Sequence, residues 1–122
     1  MHFFAIQTCE GDLIAEVSVP ENSLMMALQQ AVENDIDLSD ADLQGKNLDG
    51  LRAGGARLNR ANFSQSSLVN ADFSGAQLKD TSFAYADLTG SVFTNSSINL
   101  ETDFTGAVMS GTIYETVESN VT

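Results

Sequence analysis

Carboxylates are the chemistry-bearing groups of this chain. Its 122 residues carry 17 Asp and Glu against 5 Lys and Arg, with one His and one Cys, and the formal net charge is −12. Acid–base or nucleophilic catalysis would need one of these groups set beside a partner of a different type. The single His is His2, next to the terminus, and the single Cys is Cys9, in an expected strand, where a half-buried structural thiol is the expectation. No His or Cys stands among the carboxylates to make a soft-metal site, which leaves weak, unspecific divalent binding at most. The stretch Gly50-Leu51-Arg52-Ala53-Gly54-Gly55 does not match a phosphate loop and reads as corner glycines. The residues therefore point away from an enzyme, a cofactor or a metal centre, and toward charge as the working chemistry.

That charge is unevenly spread. All five basic residues, Lys46, Arg52, Arg57, Arg60 and Lys79, lie between 46 and 79, and the segments on either side hold only acidic groups. This balance opposes direct binding to nucleic acid or to an anionic membrane, whose phosphates would be repelled. A lone Cys forms no internal disulfide and fits a reducing cytoplasm. The apolar run after Met1 is short and meets Glu10 and Asp12 at once, so neither a signal peptide nor a membrane-spanning stretch is expected.

The elements that must position these carboxylates follow from a period of five. Large apolar residues recur as Leu38, Leu43, Leu48, Leu58, Phe63, Leu68, Phe73, Leu78, Phe83, Leu88, Phe93 and Ile98, with Ala53 the exception. Two residues earlier stands a small one in most units, and between the two sits a polar residue, as in Ala41-Asp42-Leu43, Ala61-Asn62-Phe63 and Ala71-Asp72-Phe73. Five fits neither a helix nor a strand. If each unit makes one side and one corner, four units close a square coil, residues twenty apart stack, and the large and small residues point inward. Three departures are expected to be absorbed. Leu51 and Ala53 exchange the large and small positions, Lys46 snorkels outward from a small-residue position, and an extra residue near Asn99–Glu101 bulges before the series resumes at Thr102-Asp103-Phe104.

The A-(D/N)-(L/F)-x-x series over residues 36–114 resembles the pentapeptide-repeat family. The resemblance implies an all-β solenoid, a right-handed quadrilateral β-helix. The expected organisation is an N-terminal cap over 1–34 and repeats over 35–122. The cap reads as a strand from Phe3 to Cys9, a turn at Glu10-Gly11-Asp12, a strand from Leu13 to Val19, and a helix from Asn22 or Ser23 to about Asn34. It would cover the exposed rungs of the first coil. Residues from Tyr114 onward read as a final partial coil or a frayed tail. Hairpin–helix leaders of this kind resemble those of phage members of the family.

Members of the family mimic B-form DNA, and the resemblance extends that expectation here. The mixed face carries Asp37, Asp40, Arg57, Arg60, Lys79 and Asp80. A second face holds Asp49, Asp87 and Val69 without a clear basic group, and a third holds Asp42 and Asp103. The expected partner-binding groups are Asp35, Asp37, Asp40, Asp42, Asp49, Asp87, Glu101 and Asp103, with Glu10, Asp12 and Glu33 from the leader. They would occupy the cationic groove of a DNA-binding protein, first a Cas effector, as in anti-CRISPR inhibitors, and second DNA gyrase. A scaffold that self-associates through exposed Val69, Tyr85, Val92 and Ile113 is the alternative of a different class. A monomer or weak dimer in the cytoplasm is expected.

Overall fold

A computed structural model describes residues 1–114 and the backbone of Glu118–Ser119. Two strands open the chain, β1 (His2–Gln7) and β2 (Leu13–Val19), paired antiparallel, followed by one helix, α1 (Leu24–Glu33). Alternate side chains of the hairpin turn inward, and Ile6, Val17 and Val19 are buried there. The Ser23 hydroxyl caps α1 by accepting the Met26 N–H at 3.1 Å. The helix buries Ala27, Leu28 and Ala31, while Leu24 and Val32 are only partly covered.

From residue 37 the chain winds into four-sided coils. Each side is a single bridging residue rather than an extended strand, and the bridges form four parallel ladders. They run Asp42–Asn62–Ser82–Asp103, Asn47–Ser67–Asp87–Val108, Arg52–Asp72–Val92–Ile113 and Arg57–Gln77–Ser97. Within each coil pair the backbone bonds run both up and down, as when Leu43 N–H meets the Asn62 carbonyl at 2.8 Å and Asn62 N–H meets the Ala41 carbonyl at 2.9 Å. The chain returns to the same side every twenty residues until Ser97 and every twenty-one thereafter. The extra residue is extruded where it was expected, with Leu100 standing 71% exposed. The short strands β3 (Ser97–Ile98) and β4 (Glu118–Ser119) pair in parallel and carry the last ladder on. Otherwise the expected partial coil or tail lies outside the described residues.

Every fifth residue from Asp40 to Asn95 has a left-handed backbone, which turns the corner. Gly45, Gly50, Gly55, Gly75 and Gly90 take this conformation without a steric penalty, and Asp and Asn take it readily. Arg60, Gln65 and Tyr85 take it against their preference, at φ 64°, 60° and 59°.

The large and small inward residues are buried as the period requires, including the exchanged pair Leu51 and Ala53. Phe residues fill two opposite sides of the square. Phe63, Phe83 and Phe104 stack at 5.3 and 5.4 Å, Phe73 and Phe93 stack at 5.3 Å, and the two columns meet edge to face at 5.4–5.8 Å. The small polar residues inside are satisfied. Ser66 and Thr81 donate to the carbonyls of Leu43 and Leu58 in the coil before, at 2.6 and 2.7 Å. Lys46 is exposed, as its position required.

The cap is stitched to the first coil by backbone. Cys9 N–H donates to the Asp40 carbonyl at 3.1 Å, Asp42 N–H donates to the Gln7 carbonyl at 2.8 Å, and Thr8 bridges Ala41 antiparallel. The first strand therefore stops at Gln7, short of the expected Cys9, because the chain leaves β2 there to pair with the coil. Cys9 is exposed at the turn, not half-buried in a strand. On the helix side the Arg52 N–H donates to the Gln29 side chain at 3.0 Å.

Candidate protein-interaction surface

Where the middle residue of a unit is Asp or Asn, it is more than a solvated spacer. Its side-chain oxygen accepts the N–H two residues on and so fastens the corner. Asp37 accepts from Ser39, Asp42 from Gln44, Asp72 from Ser74, Asp87 from Thr89 and Asp103 from Thr105, at 2.8–3.3 Å, and Asn62 does the same for Ser64 at 2.9 Å. Hydrogen bonds from Ser39, Thr89 and Thr105 hold the carboxyls of Asp37, Asp87 and Asp103 below the usual range. The sequence carried the signal, Asp or Asn followed two residues later by Ser or Thr, but its solvent-facing period masked this local role.

Other carboxylates are tied to neighbouring coils. Asp49 accepts from the Ser67 hydroxyl and from the Val69 N–H, and Asp80 accepts from the Asn99 side-chain amide while its own N–H donates to the Asn99 side-chain oxygen. On the mixed face Arg60 makes two bonds to Asp40, at 2.9 and 3.2 Å. Arg57 lies 3.4 Å from Asp35 and donates to its carbonyl. These arginines stand one coil above their partners and offset charge that would otherwise face a cationic ligand.

The expected partner-binding residues do not form one continuous row. Asp42 and Asp103 share a ladder, but Asn62 and Ser82 separate them. Asp49 and Asp87 lie on the next side around, and Glu101 sits in the extruded turn. Asp35, Asp37 and Asp40 face the arginines, and Glu33 ends α1. A further group lies at the hairpin end. There Glu10 and Asp12 from the turn, with Asp40 and Asp42 from the first coil, surround the stitching contacts at Cys9. Desolvation, and then the charges of Asp42, Asp40 and Glu10, push the Cys9 thiol up from its ordinary value. The carboxylates of Glu10 and Asp12 have no hydrogen-bond or ion-pair partner among the described residues. No three His, Cys, Asp or Glu side chains converge on a metal-sized point among those residues, and no helix there is long and apolar enough to cross a membrane.

Known proteins resemble the coils. The sequence model for pentapeptide repeats, in eight copies, matches residues 56–95. A pentapeptide repeat protein (Rfr23) from the cyanobacterium Cyanothece 51142 is 25% identical over 68% of this chain and 56% of its own, with a TM-score of 0.53. One from the Arabidopsis thaliana thylakoid lumen is 30% identical over 69% of this chain and 60% of its own, with a TM-score of 0.52. A third, alr5209 from Nostoc PCC 7120, is 25% identical over 72% of this chain and 70% of its own, with a TM-score of 0.51. The chain thus spans less than two thirds of the length of the first two. No curated protein sequence matches it. Proteins of this kind are generally non-enzymatic structural or interaction modules, and their coils are right-handed quadrilateral β-helices. Period, ladders and likeness agree, and the chain belongs to the pentapeptide-repeat family.

Proposed function

We propose that the chain is a non-enzymatic inhibitor that docks an acidic end on a cationic surface of a DNA-binding protein and competes with DNA there. The observation that carries this reading is the hairpin end. Glu10 and Asp12 stand in the turn without side-chain partners among the described residues, Asp42 of the first coil and Glu10 both bear on Cys9, and no Lys or Arg occurs before Lys46. An anionic end on a rigid coil is drawn to a Lys/Arg groove by long-range attraction, which speeds encounter. Mimicry in this form is local. It rests on one end of the rod, not on a row of carboxylates along it, since Asn62 and Ser82 interrupt the ladder between Asp42 and Asp103, and Asp35 and Asp40 face arginines. A Cas effector and DNA gyrase are the two partners the sequence resemblance suggests, both in a bacterial cytoplasm.

The test is retention of partners from a bacterial lysate at low and high salt, with wild type beside the triple variant Glu10→Lys/Asp12→Lys/Asp42→Lys. A DNA-binding protein held at low salt, released as salt rises and lost in the variant is the expected result, and its identity separates effector from gyrase. Equal retention by the variant would sink the reading. Of the four residues expected on a self-associating face, Tyr85 and Ile113 are exposed and Val69 and Val92 are half-buried, and a scaffold reading draws on Tyr85 and Ile113 with exposed Val108 and Tyr114 toward the far end of the coils. It predicts self-association that rises with concentration and does not weaken with salt.

A further inference from the structure

We infer that the cleft between β1 and the first coil takes an extended, basic peptide segment of the partner, added as a strand to the open edge of β1. The cleft has a volume of about 540 Å³. Phe4 and Ile6 line it from the strand, Leu24 from the start of α1 and Leu43 from the first coil, with Asp42 and Lys46 at the rim. Phe4 and Leu24 are only partly covered by the protein itself.

The edge beside this cleft is incomplete. One edge of β1 pairs with β2 along its whole length. On the other, the stitch to the coil begins at Gln7, whose carbonyl accepts from Asp42, and continues through Thr8 and Ala41. Before Gln7 no backbone partner lies on that edge among the described residues. Hairpin and coil diverge there, and the cleft opens between them. An unpaired strand edge bordered by a trough of mixed lining, with Phe4 and Leu24 beside Gln7 and Gln44, has the two features that strand addition uses. Main-chain bonds supply affinity, and alternate side chains of the added strand find a pocket. The five residues His2–Ile6 give such a segment roughly 17 Å of edge.

Charge selects the occupant. Asp42 and Lys46 are the one acidic and the one basic residue of the cleft's lining, and the acidic excess comes from Glu10 and Asp12 at the adjoining turn, neither of whose carboxylates has a partner among the described residues. A second copy of this chain would bring the same acidic end against itself. A partner strand with Lys or Arg on one face and apolar residues on the other matches both rim and trough. This inference rests on the proposed docking of an acidic end and adds where the partner's backbone lies.

The experiment is a titration of the full chain, followed by amide NMR shifts, with three synthetic probes. These are a ten-residue peptide alternating Lys and Val, the same peptide N-methylated at every second residue, and a ten-residue Lys–Gly peptide of equal charge. The Lys–Val peptide is expected to move the amides of residues 2–7 and 42–46 first. N-methylation is expected to abolish that pattern, and Asp42→Asn to weaken binding about fivefold, the size of one exposed ion pair. If all three peptides bind alike, with shifts spread over Glu10, Asp12, Asp49 and Asp87, the strand-addition inference is overturned while docking of an acidic end stands. If none binds at low salt, both fail. Cleft shifts that grow with protein concentration alone would assign the edge to a second copy and also overturn the inference.

Discussion

At the scale of single residues, the fold asks most of the corner. Gln65 holds a left-handed backbone at φ 60° that its side chain disfavours, with its side chain exposed. Gln65→Gly should therefore stabilise the protein by about 0.5–1 kcal/mol, after allowing for the larger entropy that Gly loses on folding. A urea melt of the two proteins checks this, and an unchanged or lowered midpoint would mean that the corner carries no strain. Asp87 and Asp103 act from the middle of a side. Their folded carboxyls titrate below the unfolded value because each accepts hydrogen bonds two residues on. A depressed carboxyl contributes stability above the unfolded pKa near 3.9 and loses it as pH falls through the folded value. Asn accepts the same backbone bond and does not titrate. The double variant Asp87→Asn/Asp103→Asn should thus lose less thermal stability than wild type between pH 5 and pH 2. Parallel melting curves against pH decide it.

At the scale of elements, the cap and the coils depend on one another. α1 contributes Ala27, Leu28 and Ala31 to a cluster that runs without a break into the repeat core. Leu28→Ala should cost about 2–5 kcal/mol, as a large-to-small change in a packed site. Because stacked coils hold one another, the loss should appear first as faster hydrogen exchange in the first coil, around Leu38 to Leu48, and later toward Phe93. Uniform acceleration along the chain would show that the coils unfold as one unit. The second strand was legible to the residue from its alternation and flanking turns. The first was not, because its final residues pair with Ala41, and nothing in the local pattern of Thr8 and Cys9 announces a partner that far along the chain.

At the scale of the whole molecule, net charge works in opposite directions on stability and on binding. A net charge of −12 on a small rod repels itself, and only Arg57–Asp35 and Arg60–Asp40 form ion pairs among the described residues. Raising salt from about 10 to 150 mM shortens the screening length from about 30 to 8 Å. The melting temperature should therefore rise over this range while capture of a cationic partner falls. A calorimetric scan beside the binding measurement tests the pair. A falling melting temperature would mean that the two ion pairs outweigh the repulsion.

The sequence alone determined the architecture of the coils. A five-residue period of alternating small and large apolar residues admits a four-sided stack, and each large side chain that enters it must be buried to repay the ordering of the chain. The exchanged pair at Leu51 and Ala53, the outward Lys46 and the extruded residue near Leu100 were all legible for the same reason, since volume and register are local sums. What only the tertiary structure decided is which charges remain available. Asp37, Asp87 and Asp103 are acidic in any reading of the chain, but whether a carboxylate is spent on a corner, set against an arginine one coil above, or left beside Glu10 and Asp12 depends on residues two or twenty positions away. Electrostatic potential is a sum over space, and the turn carboxylates came beside those of the first coil only when Thr8 and Cys9 were laid against Asp40, Ala41 and Asp42.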